Sequence, residues 1–218
     1  TPCGTLFPYT TLFRSVAVST PLGYSEDWPQ FKFDSQHSGN VPERNITTPL
    51  SLVRAISLTD AIYTSPVIRN DNVYALDGSG VLFCFDAETL KLQWKYESHG
   101  GLQNCNNVSS PVIAGRYVHF GTMTGTYYVL DAKTGDVIRT IECQDPIFST
   151  PVVSGNRVYF ATLGAQIYAV TEKGELCWTW DFVREVLSFT GDRWDGQDWL
   201  EHSDGRVTWR DHFCCSRN

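Results

Sequence analysis

Cys214 and Cys215 stand side by side near the end of the 218-residue sequence and are the sharpest candidates for chemistry. Such pairs also arise by chance, or each cysteine pairs elsewhere. Just upstream, Gly191 to Asp211 holds Trp194, Trp199 and Trp209 among five aspartates, a glutamate and a histidine. Tryptophans beside carboxylates suit a sugar, a peptide or a partner protein, and binding residues favour such connecting segments. That reading takes Trp194, Asp195, Trp199 and Trp209 as ligand- or partner-binding residues; its alternative is packing on a neighbouring element. Asp192, Asp195 and Asp198 lack the spacing and terminal glutamate of an EF-hand, so no metal ligand is assigned. His37, His99, His119, His202 and His212 are scattered. His119 occupies a strand position filled elsewhere by Tyr74 and Tyr159, which favours packing. With no G-x-S-x-G, P-loop or C-x-x-C, and no nucleophile–base pair by spacing, no catalytic residue is assigned.

The elements that must position these residues are written as a repeat. Pro66, Pro111 and Pro151 each sit in an [ST]-P-V triplet, 45 and then 40 residues apart. A valine follows each proline by seven residues (Val73, Val118, Val158) and an aromatic by seventeen (Phe83, Tyr128, Tyr168). A period near forty made of short strand-like runs predicts a repeat of small β-sheets. Each copy reads as four strands. Strand A carries the proline, which restricts it to a sheet edge or a strand's first residue. Strand B is 72–76, 117–121 and 157–161, followed by a glycine-bearing turn. Strand C, at 81–85, 126–130 and 166–170, is apolar almost throughout and predicts burial on both faces. Aspartate and threonine in the next turn can bond their own backbone. Strand D is 91–97, 136–142 and 175–181.

Composition excludes several classes. A net charge of −7 lacks the basic surface that nucleic acids require. No apolar run is long enough for a transmembrane helix. One methionine against 29 aromatics (7 Trp, 10 Tyr, 12 Phe) fits a β-rich chain. Thr5 to Ser15, TLFPYTTLFRS, is similar to a translated sequencing adapter, so residues 1–15 are set apart from fold reasoning. Val16 to Thr20 are too few to establish a signal peptide. Residues 16–50 read as an irregular leading segment, and 51–58 as a lone strand before the first repeat. The blades are expected at 61–100, 106–145 and 146–182. Residues 183–218 read as an insertion and the truncated start of another blade, in which Val183 to Phe189 extends strand D or enters a loop. Cys105 and Cys143 either bridge adjacent blades or remain free thiols.

The repeats resemble those of the pyrroloquinoline-quinone (PQQ)-type β-propellers, whose signature is A-x-D-x-x-T-G-x-x-x-W. Asp86, Thr89 and Trp94 match in the first copy, with Cys84 and Leu90 in place of alanine and glycine. Asp131, Thr134 and Gly135 match in the second, where Arg139 replaces the tryptophan. The third keeps Ala169 and Trp178. The leading DWPQF…HSG is also similar to segments preceding the first blade in exported members. The resemblance implies an all-β fold: about three four-stranded blades of a seven- or eight-bladed ring, with the tryptophans docking blade on blade. In closed propellers a lone leading strand completes the last blade. Three blades alone leave their outer faces open, which predicts self-association.

The resemblance implies an exported, periplasmic or cell-envelope protein that binds a protein partner or scaffolds an assembly without catalysis or cofactor. Its alternative is a PQQ-dependent dehydrogenase using calcium, in which the Cys214–Cys215 pair would stack on the quinone. A third reading is a saccharide- or peptide-binding propeller acting through the tryptophan-rich insertion.

Overall fold

Each copy of the repeat forms one four-stranded antiparallel sheet. A computed structural model describes residues 9–15, 27–43, 50–100, 106–189, 199–201 and 207–209. Two units divide the chain, Thr1–Trp180 and Asp181–Asn218.

In the first unit, β1 (Tyr9–Ser15) pairs antiparallel with β2 (Leu50–Ser57). The first blade follows as β3 (Val67–Arg69), β4 (Asn72–Leu76), β5 (Val81–Asp86) and β6 (Leu92–Glu97). The second is β7 (Val112–Ala114), β8 (Tyr117–Gly121), β9 (Thr126–Asp131) and β10 (Val137–Glu142). The third is β11 (Val152–Ser154), β12 (Arg157–Ala161), β13 (Gln166–Thr171) and β14 (Leu176–Asp181). Strands in each blade are hydrogen-bonded in sequence order, with the proline-led strand at one edge. These are blades of a β-propeller, as the repeat predicts.

The central strand of the middle blade shows why strand C is continuously apolar. On β9, Tyr128 and Leu130 pack with Leu76, Leu82 and Cys84 of the first blade. Tyr127 and Val129, on the opposite face, pack with Val158, Phe160 and Tyr168 of the third. Period-two alternation therefore sends successive apolar residues from Tyr127 to Leu130 into two different cores. Stacked rings mark the second seam: Tyr127 and Phe160 lie 3.7 Å apart, Phe160 and Tyr168 4.8 Å.

The strand before the first repeat is a strand D. Leu52-Val53-Arg54-Ala55-Ile56-Ser57 lines up with Val137-Ile138-Arg139-Thr140-Ile141-Glu142 of β10. Ile56 packs on Val73, Phe83 and Phe85 of the first blade, as Ile141 packs against the third. Arg54 donates to the Thr89 carbonyl in that blade's C–D turn at 3.1 Å.

The second unit departs from one expectation. Phe182–Phe189 is a helix, α1, rather than an extension of strand D or a loop. Asp181 caps it by accepting from the Arg184 amide at 2.9 Å, and an aspartate at this position favours helix initiation. Apolar residues at 182, 183, 186, 187 and 189 carry the helical spacing. Beyond it, β15 (Trp199–Glu201) and β16 (Val207–Trp209) pair antiparallel.

Candidate functional site

The chemistry-bearing groups of the described residues gather at two places, the seams between blades and the proline-led sheet edge. At the first seam, the Tyr74 hydroxyl and the Trp94 indole N–H both donate to the Ala132 carbonyl, at 3.0 and 3.2 Å. The Trp94 ring lies over Gly135, whose φ is +78°. A Cβ there would come within 2.8 Å of the indole, so only glycine allows the approach. The second seam repeats this plan with other residues. His119 stands in the Tyr74 position, and its Nε2 lies 2.9 Å from the carbonyl of Glu172, the residue equivalent to Ala132. Arg139 stands in the tryptophan position and lies over Gly174.

His119 is fully buried, and burial lowers its pKa from 6.5 to about 4. A neutral ring donates from Nε2 to the Glu172 carbonyl, leaving Nδ1 as acceptor for the Tyr127 hydroxyl at 3.3 Å. The position is thus one of packing, as the sequence indicates, and its hydrogen bond joins two blades. The smaller imidazole faces Tyr127, whereas Tyr74 and Tyr159 occur in blades with Leu82 and Ile167 at the corresponding place.

The C–D turns carry the signature aspartates as structural anchors. Asp86 accepts from the Thr89 amide at 2.7 Å and its hydroxyl at 2.6 Å, which lowers the carboxyl pKa. Asp131 accepts from the Lys133 amide at 2.9 Å and from Arg116. The guanidinium is the main cause of its lowered pKa. Leu90, in the place of the signature glycine, is buried with φ at +56°. Cys84 is a buried free thiol whose pKa burial pushes up to about 12, and Cys143 and Cys177 are also free. Cys143, one of the two cysteines weighed for a bridge between blades, is free, and Cys105 lies outside the described residues.

At the proline-led edge, equivalent backbone amides of the three blades meet one short segment. Ile68, Ile113 and Val153 each lie two residues after the repeat proline and point an N–H away from their own sheet. Trp28 exchanges both backbone bonds with Ile68, at 2.7 and 2.9 Å. The Pro29 carbonyl accepts from Ile113 N–H at 2.8 Å. The Gln30 side-chain oxygen accepts from Val153 N–H at 3.0 Å. Three consecutive residues thus satisfy one donor on each of three consecutive blades. Proline holds the residue before it extended, which the Trp28 pairing needs, and has no N–H of its own to satisfy. Asp27 fixes the start of the segment through the Asn70 amide at 2.9 Å. Asp34 fixes its end by accepting from the Gln36 and Ser38 amides.

The residues before the prolines join the inner strands to one another. The Ser65 amide donates to the Ser110 hydroxyl at 3.0 Å, and the Ser110 amide to the Thr150 hydroxyl at 3.3 Å. This explains the [ST] of the repeat triplet, for which proline chemistry gives no reason.

Of the binding residues expected from sequence, Trp199 and Trp209 lie on β15 and β16 as direct register partners. Trp194, Asp195, Cys214 and Cys215 lie outside the described residues. The Trp28–Gln30 clamp is the group that sequence reasoning missed, although its DWPQF signal is plain in the leading segment.

Blades of this geometry, joined at one seam by Tyr74 and Trp94 over a D-A-x-T-G turn and at the next by His119 and Arg139, define a β-propeller with PQQ-like repeats. Residues 37–141 and 106–193 match the family described as outer membrane protein assembly factor BamB, and the chain belongs to that family. It is similar to the outer membrane protein assembly factor BamB of Legionella pneumophila (strain Paris), 27% identical over 134 residues. That match covers 57% of this chain and 33% of the relative. Among solved structures, BamB from Moraxella catarrhalis superposes with a TM-score of 0.51 at 22% identity. It covers 59% of this chain and 40% of that one. Quinohemoprotein alcohol dehydrogenase from Comamonas testosteroni superposes with a TM-score of 0.58 at 18% identity, covering 71% and 27%. The chain therefore spans about a third of the curated relative's length, and both structural likenesses concern the fold.

Proposed function

We propose that the whole protein is a non-catalytic propeller that binds a protein partner in assembly of the cell envelope, and that it is exported to act there. The family match over residues 37–193 carries this reading. The seams support it, because the residues on which PQQ-type repeats are recognised serve blade docking here. Trp94 and its replacement Arg139 lie over turn glycines, while His119 is buried and neutral in a blade-to-blade hydrogen bond. The reading includes no bound cofactor. It places partner binding in the loops, where a rigid stack of sheets can present variable side chains.

The experiment is crosslinking of the full-length protein to envelope components in its source cells, followed by reconstitution with the purified crosslinked partner. A stoichiometric complex between purified components supports the reading. Stoichiometric uptake of PQQ and calcium with substrate-dependent dye reduction would overturn it in favour of the dehydrogenase alternative.

A further inference from the structure

The Trp28–Gln30 segment is held differently from every strand around it. It contributes no residue to the three buried clusters that stabilise the blades. Its hydrogen bonds to β3, β7 and β11 all go to strand edges. Bonds of this kind each contribute about 1 kcal/mol net, whereas the blades are locked by stacked aromatic rings. A segment that adds no residue to a buried cluster opens at lower free energy than the sheets beneath it. Opening exposes three equivalent N–H donors, on Ile68, Ile113 and Val153, and the Ile68 carbonyl. That is the pattern an added extended peptide satisfies in strand-edge recognition.

We propose that the proline-led edge formed by β3, β7 and β11 is a peptide-binding site, occupied in cis by Trp28-Pro29-Gln30 and exchangeable for an extended segment of a partner protein. The donors define what fits. The first residue must offer both its N–H and its carbonyl to Ile68. The second must offer a carbonyl to Ile113, and proline suits it because no N–H is left over. The third must carry a side-chain amide long enough to reach Val153. An aromatic–proline–glutamine segment meets all three demands. The cis segment, tethered to the blades, acts at an effective concentration of about millimolar, so free peptide competes poorly until the tether's grip is weakened. This inference is independent of which envelope partner the whole protein engages.

The test uses a fluorescent peptide of the sequence 27–39 and the full chain, wild type and with Trp28→Pro, which removes the N–H bonded to Ile68, and Gln30→Ala combined. The double variant is expected to bind the peptide at least tenfold more tightly than wild type. Bound peptide is expected to restore slow exchange of the Ile113 and Val153 amides. A peptide with alanine at the glutamine position is expected to protect Ile113 but not Val153. Equal binding by both chains, or no binding by a variant that keeps its β-sheet circular dichroism, overturns the proposal. Amide exchange of the wild-type chain provides a second arm should the variant fail to fold. Ile113 and Val153 are expected to exchange at least tenfold faster than the Val129 amide in the middle strand. Exchange of all three only with global unfolding overturns the proposal.

Discussion

Single side chains in the second blade show how one repeat tolerates substitution. His119 donates across the seam where the first blade uses a tyrosine, and its burial makes stability depend on pH. The folded pKa of about 4 lies below the ordinary 6.5, so the unfolded chain takes up a proton first. Stability is complete above about pH 6.5 and falls as pH drops toward 4, by about 3 kcal/mol from this group across that window. His119→Gln keeps a side-chain donor but does not titrate. Urea unfolding of the variant between pH 4 and 7 is expected to lose this part of the acid sensitivity; an unchanged pH slope would contradict the assignment. Asn107 offers a second test. It is buried, neither side-chain polar atom has a hydrogen-bond partner, and the equivalent residues are Ile62 and Ile147. Asn107→Ile is expected to stabilise the chain by about 2 kcal/mol, seen as a higher urea midpoint, because a buried unsatisfied amide is removed.

Elements are joined by devices that recur once per blade. The Tyr74–Trp94 pair, its two bonds to Ala132 and the glycine beneath the indole form one unit of docking. Trp94→Ala removes a partly buried ring and one of the two donors. It is expected to cost about 3 kcal/mol in chemical denaturation, since the neighbouring blade cannot collapse into the space. The loss should concentrate at the first seam, with amide protection falling at the 132–135 turn before the second seam is affected. The hydroxyl ladder from Ser65 to Thr150 acts at the other edge, and the Trp-Pro-Gln clamp lies across it. Each device satisfies backbone groups that an isolated sheet would leave unpaired.

At the scale of the whole molecule, the third blade presents half of a seam. Tyr159 and Trp178 are arranged as Tyr74 and Trp94 are, with ring centroids 6.1 Å apart, yet Trp178 is 41% exposed. Leu163 and Leu176 are 62% and 57% exposed. The chain is therefore expected to self-associate as concentration rises, because exposed apolar patches favour burial. Sedimentation velocity of Leu176→Lys with Trp178→Lys is expected to show a shift toward monomer. Unchanged association would place the contact elsewhere.

Strand positions, the number of blades and the edge placement of the prolines were legible in the sequence, because each is a local pattern. Alternation, turn glycines and a missing N–H act within one repeat and leave the same mark wherever it recurs. Helix α1 is equally local, but a reading of Val183 to Phe189 as an extension of strand D or a loop overlooks its aspartate cap and apolar spacing. The candidate site was hardly legible. Sequence favoured the tryptophan-rich segment and the cysteine pair; Trp199 and Trp209 pair across β15 and β16, and Trp194, Asp195, Cys214 and Cys215 lie outside the described residues. The clamp involves Trp28, Pro29 and Gln30 with amides at 68, 113 and 153, so contacts up to 123 residues apart create it. Only blade stacking brings three equivalent donors within reach of three consecutive residues. The sequence by itself determined what each sheet would be. The tertiary structure decided which unpaired groups would meet, because that depends on the angle and spacing between sheets and no single repeat encodes it.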